Sequence, residues 1–202
     1  VSFLYLGREK AEGFDRLSLL PKLLPVYRQI LSRLHEEGVE WVQVDEPVLG
    51  LDIDDKWLSA FDGAYAELSR EPVKLLLTTY FSSLAGHIDA ISKLPVAGLH
   101  IDAVRGIEDL REVAAKWPAG KVLSVGVIDG RNIWKADLDK ALAVLRAPEL
   151  AGRENLWVAP GCSLLHVPFS LDAETKMDPR LKQCLAFAAE KLEEIHALKD
   201  GL

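Results

Sequence analysis

The order of the apolar runs constrains this chain most. Short, nearly unbroken apolar stretches alternate with longer amphipathic ones. The short stretches are Val1 to Leu6, Val39 to Val44, Val73 to Thr78, Gly98 to Asp102, Val122 to Val127 and Leu156 to Ala159. They do not alternate apolar with polar, so they read as strands buried on both faces, as in a parallel sheet. Helices are expected over Asp15 to Glu37, Trp57 to Leu68, Leu84 to Leu94, Ile107 to Lys116, Leu138 to Leu145 and Asp178 to Leu198. Pro21 and Pro25 should break or kink the first of these, and Gly38 should cap its end. Leu181, Leu185, Ala188, Leu192 and Ile195 recur at helical spacing and define one apolar face of the last, with Cys184 on its core side.

Parallel strands need crossovers, and a unit every ~25–35 residues suits a βαβ repeat. No Gly-x-Gly-x-x-Gly follows a strand, so a dinucleotide-binding sheet has no support. Polar residues instead mark the strand ends: Asp45 and Glu46, Thr78 and Tyr80, Asp102, Asp129 and Cys162. A ring of chemistry at the carboxyl ends of strands is how a (β/α)8 barrel is used. The expected fold is therefore α/β, a (β/α)8 TIM-type barrel present as about six βα units. Residues 1–202 form one partial barrel in this reading. Val1 opens inside an apolar run, so a piece of a longer protein is expected, with two units before it.

Composition sets limits. With 202 residues, 49% hydrophobic and 27% charged, the chain suits one globular domain. A net charge of −7 with no basic run argues against nucleic acid or an anionic membrane as partner. No apolar run approaches the ~20 residues of a bilayer span. Cys162 and Cys184 make no disulfide framework, and a cytoplasmic protein with reduced thiols is expected.

The segment Glu40-Trp41-Val42-Gln43-Val44-Asp45-Glu46-Pro47 ends a strand with two carboxylates and a proline that stops it. One carboxylate must face the barrel mouth, where it can bind an amine or move a proton; the other reading is a rim salt bridge. Cys162 and His166, four residues apart, could supply two metal ligands, although lone pairs of this kind are usually structural. His100 is expected to face the helices, and His35, His87 and His196 to lie on helix surfaces. Arg131 and Lys135 could meet an anion, though Asp129 and Asp137 stand nearby as partners.

Four segments carry a resemblance over essentially the whole chain: Val39 to Pro47, Lys74 to Phe81, Gly98 to Asp102 and Leu156 to Cys162. In order and spacing they are similar to the cobalamin-independent methionine synthases. The resemblance implies two fused barrels, with zinc, homocysteine and the folate-facing site in the carboxy-terminal one. It also implies which barrel this is. Thr78 and Tyr80 stand where the catalytic barrel has a zinc-binding His-x-Cys, and Asp102 where it has a Glu ligand. Cys162 alone keeps a ligand identity. Arg131 occupies the place of a proton-donating His and Leu51 that of a folate-facing Glu, while Asp45 is kept where homocysteine's amino group binds.

The chain thus resembles the amino-terminal barrel, with vestigial site positions Asp45, Thr78, Tyr80, Asp102, Arg131 and Cys162. It is expected to bind no metal or cofactor and to be inactive alone. Its expected partner is the carboxy-terminal barrel of the same protein, which handles the small-molecule substrates; self-association through open sheet edges is also expected. Two alternatives are an interaction or regulatory module on a barrel scaffold, and a metal-free barrel enzyme using Asp45, Glu46 and Asp102.

Overall fold

A computed structural model describes residues 1–84 and 86–202. Five strands form one sheet: β1 (Trp41–Asp45), β2 (Lys74–Thr78), β3 (Gly98–Asp102), β4 (Val122–Ile128) and β5 (Leu156–Pro160). Their spatial order is their chain order, and every pairing is parallel. A doubly wound sheet reverses its strand order, whereas a barrel wall never does. The unreversed order is that of a barrel arc, so the α/β, TIM-type architecture holds.

The helices are α1 (Ser2–Leu6), α2 (Leu20–Glu36), α3 (Asp55–Leu68), α4 (Ile88–Ile91), α5 (Leu110–Lys116), α6 (Leu138–Leu145), α7 (Pro179–Lys182) and α8 (Ala188–Asp200). Asp54 and Asp137 cap α3 and α6 by accepting from the backbone N–H of Trp57 and Lys140. The core lies between sheet and helices. Leu75, Leu77, Leu99, Ile101, Leu123 and Val125 all point into it.

Several expectations need correction. Val1 to Leu6 is not a strand: it is the short helix α1, so the arc has five strands and not six. A six-residue apolar run has no periodicity to separate the two, and here Glu46 binds the Ser2 N–H at the start of the helical turn. Pro25 does not break α2, which runs through it, while Pro21 sits in its first turn where its missing N–H costs little. Gly38 does follow α2, at φ 84°. The helix expected over Leu84 to Leu94 shrinks to α4, and Ala85 within it lies outside the described residues. The last expected helix is two, because Leu185 and Phe187 turn inward on Leu171 as a satellite cluster. Cys184 and Leu181 are consequently exposed. Among the described residues no helix is long and apolar enough to cross a membrane.

The arc curls tightly. Trp41 on β1 and Trp157 on β5, the two edge strands, meet across the concave face with ring centroids 4.8 Å apart. Gly98 makes this possible: a Cβ there would lie 3.3 Å from the Trp41 ring and 3.2 Å from Val122 Cβ. The tryptophans floor the concave side and leave its carboxyl end open.

Candidate functional site

Side chains alternate along a strand, so one face of each strand serves the core and the other the concave side. Leu76, Thr78, His100 and Ser124 take the inner face beside Gln43 and Asp45 of β1. The ladder continues past the strand ends. Glu46 N–H donates to Thr78 O, Thr79 N–H to His100 O, Ala103 N–H to Gly126 O and Gly161 N–H to Ile128 O. The mouth loops are therefore held level with one another, around a cavity of ≈ 410 Å³.

Asp45, Thr78, Tyr80 and Cys162 all line that cavity, so four of the expected positions converge. Asp45 accepts from Gln43 Nε2 at 2.7 Å and from the Tyr80 hydroxyl at 3.3 Å. Burial and the neighbouring Asp45 carboxylate push the Tyr80 phenol up to about 12. Cys162 is buried, and burial followed by the charge of Asp102 raises its thiol above the ordinary range. Among the described residues its only hydrogen-bond partner is Ser163 O, at 3.8 Å.

Glu46 points the other way. Its carboxylate is buried on the helix side, accepting from Ser2 N–H at 2.6 Å, the Val1 amino group at 2.8 Å and the Tyr65 hydroxyl at 3.2 Å. Burial first, and then Glu46, raise the Tyr65 phenol well above its usual value, which keeps it a donor. The strand pleat separates Asp45 from Glu46, so they are not a working pair.

Asp102 lies beneath the cavity, 2% exposed. It accepts backbone N–H bonds from Phe81, Val104 and Arg105. Arg105 in turn pairs with Asp129 at 3.1 Å, and its Nη1 lies 3.8 Å from Asp102 Oδ2. Burial works to raise the Asp129 carboxyl, but the Arg131 N–H, Arg105 and Asn132 outweigh it and hold it below the ordinary value. Arg131 is exposed, with its guanidinium 4.8 Å over the Phe81 ring. Lys135 is exposed as well.

His100 corrects an expectation: it faces the cavity, not the helices. Its Nδ1 meets Ser124 Oγ at 2.9 Å and its Nε2 meets Gly161 O at 3.4 Å, and burial lowers its pKa. The signal was present in the sequence, because His100 and Asp102 share strand parity. His87 precedes α4, with its Nδ1 2.9 Å from Leu49 O, while His35 and His196 are exposed. Sequence reasoning missed Phe81 and the loop contacts of His166, whose ring lies 5.5 Å from that of Phe81.

The donor set does not fit zinc. A threonine hydroxyl, a phenol pushed up to about 12, an imidazole with both ring nitrogens on Ser124 and Gly161, a carboxylate already holding backbone amides and one raised thiol offer no tetrahedral N/S site. Among the described residues no group of three or more His, Cys, Asp or Glu is placed to hold a metal.

Comparison with known proteins supplies the context. Residues 1–151 match the family described as cobalamin-independent synthase, N-terminal domain. A 5-methyltetrahydropteroyltriglutamate–homocysteine methyltransferase from Acidithiobacillus ferrooxidans is 52% identical over 197 residues, which is 95% of this chain and 25% of that protein. The namesake from Nitrosomonas europaea is 49% identical over 202 residues, 100% of this chain and 27% of its own length. The chain thus spans about a quarter of the curated relatives it matches. Among solved structures, a methyltransferase from Methanosarcina mazei aligns with a TM-score of 0.61 at 12% identity, over 88% of this chain and 47% of that one, a likeness of fold alone.

Proposed function

Since this chain belongs to the family of cobalamin-independent synthase N-terminal domains, we propose that it is the supporting barrel of a methyltransferase that moves a methyl group from 5-methyltetrahydrofolate polyglutamate to homocysteine, giving methionine. The methyl transfer is assigned to a carboxy-terminal barrel of the same protein. A zinc ion bound there would supply a Lewis acid that lowers the pKa of the homocysteine thiol. This barrel contributes scaffold and a docking face.

One observation carries the reading: the mouth positions are spent on internal contacts. Asp102 holds backbone amides, Tyr80 donates to Asp45, and Cys162 is buried. The loops beyond them expose apolar side chains, Leu165 92% and Phe169 84% after β5, and Trp134 53% and Ile133 37% after β4. Such a rim suits a protein surface better than a polar substrate. The rival acid–base enzyme loses support, since Glu46 and Asp102 are both buried and bonded away from the cavity.

The test is removal of this barrel from the full-length protein. Turnover should collapse while the other barrel keeps its zinc. Full activity of the other barrel alone, or methyl transfer by this chain alone, overturns the proposal.

A further inference from the structure

The mouth holds one backbone feature that is costly by itself. Phe81 has φ 77°, the one non-glycine residue with positive φ among those described. For a bulky side chain this is a strained conformation that persists only where its surroundings over-determine it. The surroundings are those of Asp102. Oδ2 accepts from the Phe81 N–H at 3.1 Å. Oδ1 accepts from Val104 N–H at 3.0 Å and Arg105 N–H at 3.2 Å. Gly161, in the loop after β5, passes so close that a Cβ there would lie 2.5 Å from Oδ1. A single buried carboxylate therefore ties the loop after β2 to the loop after β3, with the loop after β5 laid against it.

Phe81 passes the constraint on. Its ring is 4.5 Å from Tyr80, 5.5 Å from His166 and 4.8 Å from the Arg131 guanidinium carbon. Tyr80 reaches back to Asp45, Arg131 follows β4, and His166 follows β5. Few other side chains could stand at 102. Glutamate adds a methylene where Gly161 leaves no room. Asparagine offers one acceptor oxygen and turns its own N–H2 toward backbone donors.

We propose that Asp102 is the positioning residue of the mouth: it clasps the loops after β2 and β3 beneath Gly161 and fixes Phe81, which gathers Tyr80, Arg131 and His166 into one arrangement. The role is mechanical and uses no free lone pair for substrate.

The test is hydrogen–deuterium exchange on the full-length protein, with Asp102→Asn and, as a route that leaves the carboxylate in place, Gly161→Ala. In each, peptides over 79–84 and 103–106 should exchange at least tenfold faster, with β2 and β4 unchanged. Wild-type exchange of both loops in both variants overturns the clasp. So does equal loosening of the sheet, which makes Asp102 a general prop. If Asp102→Asn does not fold, Gly161→Ala decides.

Discussion

Gly126 on β4 faces Gly161 across the sheet end, and Gly126→Ala would test how tightly the mouth is built. The new Cβ would lie 2.5 Å from Gly161 Cα, 2.7 Å from Pro160 O and 2.9 Å from Gly161 N. Carbon contacts settle at about 3.5–4.0 Å, so something must retreat by about 1 Å. Every one of these atoms is backbone, so no side chain can swing aside. The retreat would stretch the Gly161 N–H bond to Ile128 O, now 2.8 Å, beyond hydrogen-bonding range. Overpacking costs about 1–3 kcal/mol and the lost bond about 1 kcal/mol, together about 2–4 kcal/mol. For a domain of this size each kcal/mol moves Tm by about 2–4 °C, so a fall of roughly 5–15 °C is expected. Gly63→Ala is the control. It lies inside α3 with nothing within 4 Å of the added Cβ, and should stabilise by about 0.5–1 kcal/mol. Urea and thermal unfolding of both variants read the difference. A Gly126→Ala protein within 1 kcal/mol of wild type refutes the packing argument.

Further predictions follow from the titrating groups and the donor set. Burial lowers the His100 pKa from 6.5, so the stability it contributes is present above 6.5 and drains as pH falls toward the folded value. His100→Gln should flatten that acid slope in unfolding measured from pH 7 to 4; an unchanged slope assigns the acid loss elsewhere. Tyr80 has its pKa raised from 10.0 to about 12, so the stability tied to it holds below 10.0 and falls as pH rises through about 12. In absorbance titration at alkaline pH, Tyr80→Phe should remove a late-ionising phenol, and removal of an early one contradicts the Asp45 contact. Zinc analysis of the chain after dialysis should give well under one equivalent, and a stoichiometric, chelator-resistant zinc contradicts the reading of the donor set.

Much of the arc could be read from residues alone. β3 and α6 fall where their apolar runs put them, and the remaining strands shift by one or two residues at their ends. The failures have local causes. Val1 to Leu6 is too short for its period to show, and its conformation is set by Glu46, a residue distant in sequence. The 181–187 stretch keeps a helical pattern, yet Leu185 and Phe187 gain more by packing on Leu171 than by continuing a turn. At the site, the convergence of Asp45, Thr78, Tyr80 and Cys162 was legible because strand ends of a barrel share one mouth. His100 could have been placed by parity with Asp102. The positive φ of Phe81 could not, since nothing in a phenylalanine announces it and only the Asp102 acceptor explains it.

The central claim is that this barrel supports catalysis without performing it, and Cys162 tests it most directly. The resemblance implies a ligand identity for Cys162, which is buried with a raised thiol pKa. Cys162→Ala in the full-length enzyme should cost roughly 1 kcal/mol of stability, as loss of a small buried hydrophobe does. Methyl transfer to homocysteine, normalised to folded protein, should stay within a few-fold of wild type. Abolished turnover with the fold and zinc content intact contradicts the account and makes this barrel a catalytic one.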